Sequence, residues 1–218
     1  MRVVILGGSG IGMLAAHMFQ YHSNHKVRGF LNDHEDVGTL IGKHSYKVPV
    51  IGRSRDVHKW LEDPDVRVFV AYVGMKVRQG LVEFVESLAI PEDRLLGCIH
   101  STSWIPHACC KIGPGCLIGP HAQLSPDVTL GKNVHVLGHA FVGHDTVVED
   151  YVTLANNTCT GANNTIGRGV FMGTNACTRE YTRVRPYTVI GMGAVVLKDT
   201  PESAIVVGNP AKPLVSKE

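Results

Sequence analysis

Twelve histidines and six cysteines are the residues of this 218-residue chain that could do acid–base or nucleophilic chemistry. One histidine stands apart. His144 is followed directly by Asp145, and Glu149 and Asp150 come a few residues later. An imidazole beside a carboxylate is the usual arrangement of a general base working near neutral pH. Position alone fits an exposed histidine with a charged neighbour equally well. His139 is the runner-up base, and His135 suits a structural place. The cysteines are Cys98, Cys109, Cys110, Cys116, Cys159 and Cys177. They contain no CxxC pair, so zinc ligation and a disulfide framework are not indicated. Cys159 and Cys177 lack an obvious base and are not expected to be nucleophiles. A second cluster is Gly7-Gly8-Ser9-Gly10-Ile11-Gly12. It follows a strand-like run and opens a helix-like one, a context that suits phosphate binding through backbone N–H groups. Met13 breaks the GxGxxG spacing, which weakens a nicotinamide reading, and a tight β–α turn would use the same glycines.

These clusters sit in two halves with different periodicities. Residues 1 to about 99 alternate strand-like and helix-like segments. Strands are expected at Arg2–Leu6, Val27–Leu31, Val48–Ile51, Val66–Tyr72 and Arg94–Ile99. Helices are expected at Met13–His22, Asp56–Leu61 and Lys76–Leu88. Such alternation predicts a Rossmann-like α/β domain with a parallel sheet and helices on both faces.

From Ile112 onward an aliphatic residue recurs at every sixth position, through Ile118, Leu124, Leu130 and Val136 to Val196. Thr160 and Thr178 are the two exceptions, and no residue is inserted or deleted. Glycine often follows the aliphatic. A small or β-branched residue tends to stand four places on, as at Cys116, Ala122 and Val128. This predicts a triangular solenoid, an all-β parallel β-helix over residues 100–218, whose stacked coils bury a continuous core. The small residues are expected to let the chain turn at each corner. His144, two places past the inward Val142, then lies near a corner and points outward; His139 sits at a comparable corner one step earlier.

Composition bounds the partners. Hydrophobic residues make up 44%, charged residues 18%, and the net charge is +2. That balance suits a globular protein and gives no nucleic-acid surface. No apolar run approaches the roughly 20 residues needed to span a bilayer. The chain opens on a strand with no signal-peptide core, so a cytoplasmic location is expected.

The [Leu/Ile/Val]-Gly repeat and the ending Val207-Gly208-Asn209-Pro210-Ala211-Lys212 resemble the left-handed β-helix of the hexapeptide acyltransferases. With the glycine-rich domain in front, the whole chain is similar to the branch holding the sialic-acid O-acetyltransferases and the nucleotide-linked amino-sugar N-acetyltransferases. The resemblance implies acetyl-CoA as co-substrate, no metal, and a homotrimer with the coenzyme in the groove between two chains. It implies His144 as general base with Asp145 as its partner. It implies a nucleotide-sugar site at Ser9, Gly10, Ile11, Asn32, Asp33 and Gly74, although Ile11 and Asn32-Asp33 depart from the family's residues. For the coenzyme it implies Thr153, Ala162, Gly173 and Gly191, with Lys198 and Lys212 open to its phosphates. The leading expectation is N-acetylation of a nucleotide-linked amino sugar in bacterial glycan synthesis. A sialic-acid-type O-acetyltransferase and a non-catalytic or metal-dependent β-helix protein are the alternatives.

Overall fold

A computed structural model describes residues 1–8, 10–73 and 78–214. The chain divides into two compact units, one of Met1–Gly74 and Gly80–Cys98, the other of Met75–Gln79 and Ile99–Glu218. Ser9 and Gly74, two of the expected sugar-site residues, lie outside the described residues.

The first unit is built on a five-stranded sheet. Its strands are β1 (Arg2–Leu6), β2 (Lys26–Leu31), β3 (Leu40–Ile41), β4 (Val48–Gly52) and β5 (Val66–Val70), in the order β3-β4-β2-β1-β5. The run Val3-Val4-Ile5-Leu6 is fully buried, as a central parallel strand must be. β1 pairs in parallel with both β2 and β5, and β2 with β4. The short β3, which the sequence reading passed over, runs antiparallel to β4. Helix α1 (Gly10–His22) begins at the glycine loop itself, earlier than expected at Met13. Helix α2 is Val57–Leu61, and α3 is Arg78–Ser87.

Two expected strands are shorter in the structure. β5 ends at Val70, before Tyr72. Arg94–Ile99 contributes only a bridge from Leu95 to Val68 and the pair Cys98–Ile99. The cause is Arg94, which closes a short 3-10 turn and gives its guanidinium to the carbonyls of Leu61, Asp63 and Val66 at 2.6–3.1 Å. The loops at the carboxyl ends of β1, β2, β4 and β5 gather on one edge of the sheet. The order reverses at β1, and ligands of such sheets bind in the crevice at that point.

The second unit is a left-handed parallel β-helix. Fifteen two-residue strands run from Lys111–Ile112 to Val195–Val196, and each sixth-position residue is the second of its strand. They form three parallel sheets in which neighbours are 18 residues apart, as in Thr129 opposite Lys111 and Phe141 opposite Cys159. One coil is therefore three hexads. The aliphatic column is buried with hardly an exception, and it makes one core with the residues four places on, from Cys116 and Ala122 to Ala194.

That second column corrects the expectation about the corners. The residues four places on pack the interior and do not make the turn. The turn lies one residue earlier, where the backbone takes positive φ at fourteen successive steps, including His121 (58°), Asp127 (60°), Asn133 (52°), His139 (59°) and Asp145 (57°). Asn, Asp and His tolerate this left-handed region better than other non-glycine residues, which explains their recurrence there.

Candidate active site

The corner after Val142 carries His144 and Asp145. Their side chains are 57% and 52% exposed, and His144 Nδ1 lies 2.7 Å from Asp145 Oδ2. A carboxylate only accepts hydrogen bonds, so the pairing requires Nδ1 to carry the proton. In the neutral imidazole Nε2 then carries the free lone pair. Asp145 is itself the left-handed turn residue of this corner, at φ 57°.

The backbone around the corner is tied down on both sides. Gly143 N–H donates to the carbonyl of Thr160 (3.1 Å) and is also within reach of its hydroxyl (3.2 Å). Asp145 N–H donates to Pro126 O, and the carbonyl of His144 accepts from Asn163 N–H at 2.8 Å. A Cβ on Gly143 would lie 2.6 Å from Ala162 N and from the Gly161 carbonyl group, so glycine is what lets the next coil close over this corner. Ala162 stands 18 residues after His144, directly above it in register. Among the described residues its N–H has no hydrogen-bond acceptor.

The two Thr exceptions in the aliphatic column belong to this region. Thr160 serves Gly143 N–H, and Thr178 accepts from Asn164 Nδ2 at 2.6 Å. Asn164 Oδ1 accepts from Thr182 N–H, and Thr146 gives its hydroxyl to Gly161 O at 3.1 Å. Sequence reasoning missed Thr146 and Asn164, although polar residues in the column four places on, Thr158, Thr182 and Thr188 among them, were the available signal. Hydrogen bonds of this kind offset the cost of burying a hydroxyl or amide in such a core.

The other expected residues are distributed as follows. Ala162 shares the corner of His144. Thr153, Gly173 and Gly191 follow or lie on strands of a different sheet, and Thr153 is 2% exposed, so its side chain is not presented to a coenzyme. Glu149 and Asp150 occupy the next corner, where Glu149 accepts from Arg168 N–H (2.7 Å) and Asp150 from Lys132 N–H (2.9 Å); they do not orient His144. His139 is not the equivalent of His144. It is itself the left-handed turn residue, one register place later in its hexad, and its ring stacks on His121 at 4.9 Å. His135 is buried. Lys198 and Lys212 both line a cavity of about 450 Å³ beside the last coil. Several of the thiols are poor nucleophiles here. Burial pushes Cys116 up to about 12 and Cys98 to about 11, and raises Cys159, which also feels Cys177 in register beside it.

In the first unit, a cleft of about 360 Å³ is lined by Gly8, Gly10, Met13, Asn32, Glu35, Ile41, Gly42 and Lys43. Ile11 is not part of that lining. Asp33 has a different use. Its carboxylate accepts from Ser54 N–H at 3.0 Å, from the Ser54 hydroxyl and from Tyr72 OH at 3.3 Å. The Tyr72 ring in turn sits against Gly7. Burial alone would raise the Asp33 carboxyl, but the bonds from Ser54 and Tyr72 and the charge of Arg53 bring it below its usual value. Burial lifts Tyr72 to about 12.

The lowered Asp33 gives a signed prediction. Its contribution to stability is complete above the unfolded carboxylate value of about 3.9 and is lost as pH falls through the lower folded value. Melting curves of the wild type should therefore fall more steeply below about pH 4 than those of Asp33→Asn. Parallel acid profiles for the two proteins would remove the linkage.

The family description "Bacterial transferase hexapeptide (six repeats)" matches residues 109–144. An acyl-[acyl-carrier-protein]–UDP-N-acetylglucosamine O-acyltransferase from Pseudomonas paraeruginosa is 28% identical over 86 residues, 39% of this chain and 33% of that protein. The chain thus spans about a third of the length of the curated relatives it matches. Solved structures match far more of it. The acetyltransferase domain of PglB from Neisseria gonorrhoeae FA1090 is 26% identical, with 98% of this chain and 99% of that one covered at a TM-score of 0.82. A mutant of perosamine N-acetyltransferase from Caulobacter crescentus, in complex with CoA and GDP-perosamine, is 22% identical over 99% and 98%, at a TM-score of 0.83; at that identity the likeness is one of fold. The chain thus carries a hexapeptide repeat in an 18-residue register, and along nearly its whole length its fold is like that of the PglB acetyltransferase domain.

Proposed function

We propose that this chain is an acetyl-CoA-dependent N-acetyltransferase acting on the amino group of a nucleotide-linked amino sugar in bacterial glycan synthesis, and that it works in the cytoplasm as a homotrimer. The observation that carries the proposal is the 2.7 Å pairing of His144 Nδ1 with Asp145 on an exposed corner, beneath the N–H of Ala162. Residues 1–99 are proposed as the sugar-nucleotide domain and 100–218 as the transfer domain. The PglB acetyltransferase domain, also solved with acetyl coenzyme A, supports the co-substrate. The GDP-perosamine complex of the Caulobacter enzyme, alike in fold, is consistent with the acceptor class.

In this reading the sugar amine attacks the thioester carbonyl carbon. His144 Nε2 takes a proton from the nitrogen as the bond forms, and Asp145 stabilises the imidazolium. The oxyanion is met by an N–H at the corner, for which Ala162 is the candidate. Collapse expels the coenzyme thiolate, which recovers the proton from the imidazolium. The products are an amide and free CoA, with no acyl-enzyme. A second copy of the chain is proposed to complete the coenzyme groove, with Gly173 and Gly191 offering close backbone approach. The cleft at the start of α1 suits the pyrophosphate of the acceptor.

The curated relatives are O-acyltransferases over the stretch they share, and the same base could serve a hydroxyl. The product separates the two. Alkaline hydroxylamine cleaves an ester and leaves an amide intact. Acetylated product from a nucleotide amino sugar should survive that treatment, and loss of its acetyl group would assign O-transfer. Among the described residues of the single chain no cluster of three or more His, Cys, Asp or Glu could hold a metal. No helix among them is long and apolar enough to cross a membrane.

A further inference from the structure

The Gly161–Ala162 peptide lies at the corner shared with His144, and its polar groups can be accounted for one by one. Gly161 N–H donates to Thr178 O at 3.0 Å. Ala162 O accepts from Tyr181 N–H at 3.0 Å, and Asn163 N–H donates to His144 O at 2.8 Å. Gly161 O accepts from the Thr146 hydroxyl at 3.1 Å. Only Ala162 N–H is left, and among the described residues it has no acceptor.

This corner is closed differently from others. At Leu137–Ala140, Gly167–Val170 and Gly173–Ala176 the fourth N–H donates straight to the first carbonyl, at 3.0–3.2 Å. At Gly161–Asn164 the Thr146 hydroxyl stands between the two groups. It donates to Gly161 O and accepts from Asn164 N–H at 3.3 Å. A carbonyl only accepts, which fixes the direction of the hydroxyl proton. Thr146 is fully buried in the inward column, so Gly161 O is drawn to the inside of the coil. In a trans peptide the following N–H points the opposite way. The Ala162 N–H is thereby turned outward, at the corner of His144. A bonded carbonyl also strengthens the N–H of its own peptide as a donor.

Packing alone does not ask for this hydroxyl. Val128 fills the same place one coil earlier and is fully buried. The hydroxyl of Thr158, a buried threonine at another corner, has no partner among the described residues.

We propose that Thr146 is a positioning residue for acetyl transfer: from inside the coil its hydroxyl sets the Gly161–Ala162 peptide so that the Ala162 N–H meets the thioester oxygen. This rests on the reading of the reaction given above and adds to it the group that aims the oxyanion donor.

The test is isotope-difference infrared spectroscopy of the full chain with acetyl-CoA labelled at the thioester carbonyl. That C=O stretch falls when the oxygen accepts a hydrogen bond. In Thr146→Val the band should rise above its wild-type position. Its kcat should fall about tenfold or more, with KM for acetyl-CoA little changed, since an oxyanion donor acts only when correctly aimed. Thr146→Ser keeps the hydroxyl and should hold band and turnover near the wild type. Thr158→Val should leave both unchanged. Turnover is read with the nucleotide-linked amino sugar that gives the wild type its fastest CoA release. Melting curves report folding, and Thr146→Ala makes the same comparison should the valine not be accommodated. A wild-type band and turnover without the hydroxyl, or an equal change in Thr146→Ser and Thr146→Val, overturns the assignment and leaves the proposed reaction standing. If acetyl-CoA does not bind the wild type, or no such sugar releases CoA from it, the reading of the reaction falls, and this inference with it.

Discussion

Replacing His144 with alanine should lower kcat for acetyl transfer by roughly 10²–10⁴-fold, the usual span for loss of a general base. KM for acetyl-CoA should change little, because the imidazole stands beside the reacting carbonyl and does not hold the coenzyme. The fold should survive, since the side chain is 57% exposed and outside the packed column. Asp145→Asn should cost less, because it leaves the imidazole in place and weakens only its orientation. His139→Ala should keep near-normal turnover, as its ring stacks on His121 in a different part of its hexad. Steady-state kinetics on the three variants decide the matter. Normal turnover in His144→Ala would remove the proposed base, and a collapse confined to His139→Ala would move it one hexad earlier.

Gly143→Ala should damage stability and turnover together. The added Cβ would fall 2.6 Å from Ala162 N and from Gly161 C and O, all backbone atoms that cannot rotate away. Overpacking of this kind costs about 1–3 kcal/mol, which for a chain of this length lowers Tm by roughly 2–12 °C. The same displacement moves the Ala162 N–H relative to His144, so kcat should fall about tenfold or more, since an oxyanion donor acts only at the right distance. Gly138→Ala is the comparison. Its Cβ would meet nothing closer than Pro120 O at 3.3 Å, and its melting point should stay near that of the wild type. If Gly143→Ala melts and turns over like the wild type, the close approach of the two coils has no bearing on the site.

The β-helix was legible because each sixth side chain must enter a shared core, and a single slip would turn a whole strand outward. The corner was misplaced by one residue. Size drew attention to Cys116 and Ala122, whereas the backbone demand falls on His121 and Asp127, where Asn, Asp and His recur for conformational reasons. In the α/β domain the buried central strands announced themselves by composition. Arg94–Ile99 did not, because a run with strand character was diverted by one arginine binding carbonyls distant in sequence. At the site, His144-Asp145 was readable as adjacent residues. The use of Asp33 to hold Ser54 and Tyr72 was not, since those partners lie 21 and 39 residues away. The same holds for Asn32, whose amide orientation follows from two backbone donors that only the folded turn supplies.

The account is tested most directly by the initial rate of CoA thiol release from acetyl-CoA in the presence of nucleotide-linked amino sugars, each run beside the same compound with its amino group already acetylated. The account predicts release with at least one free amine, none with its N-acetylated counterpart, and loss of that release in His144→Ala. Release that is equal for free and blocked amines, or that occurs only with an acceptor bearing hydroxyl groups alone, would contradict it.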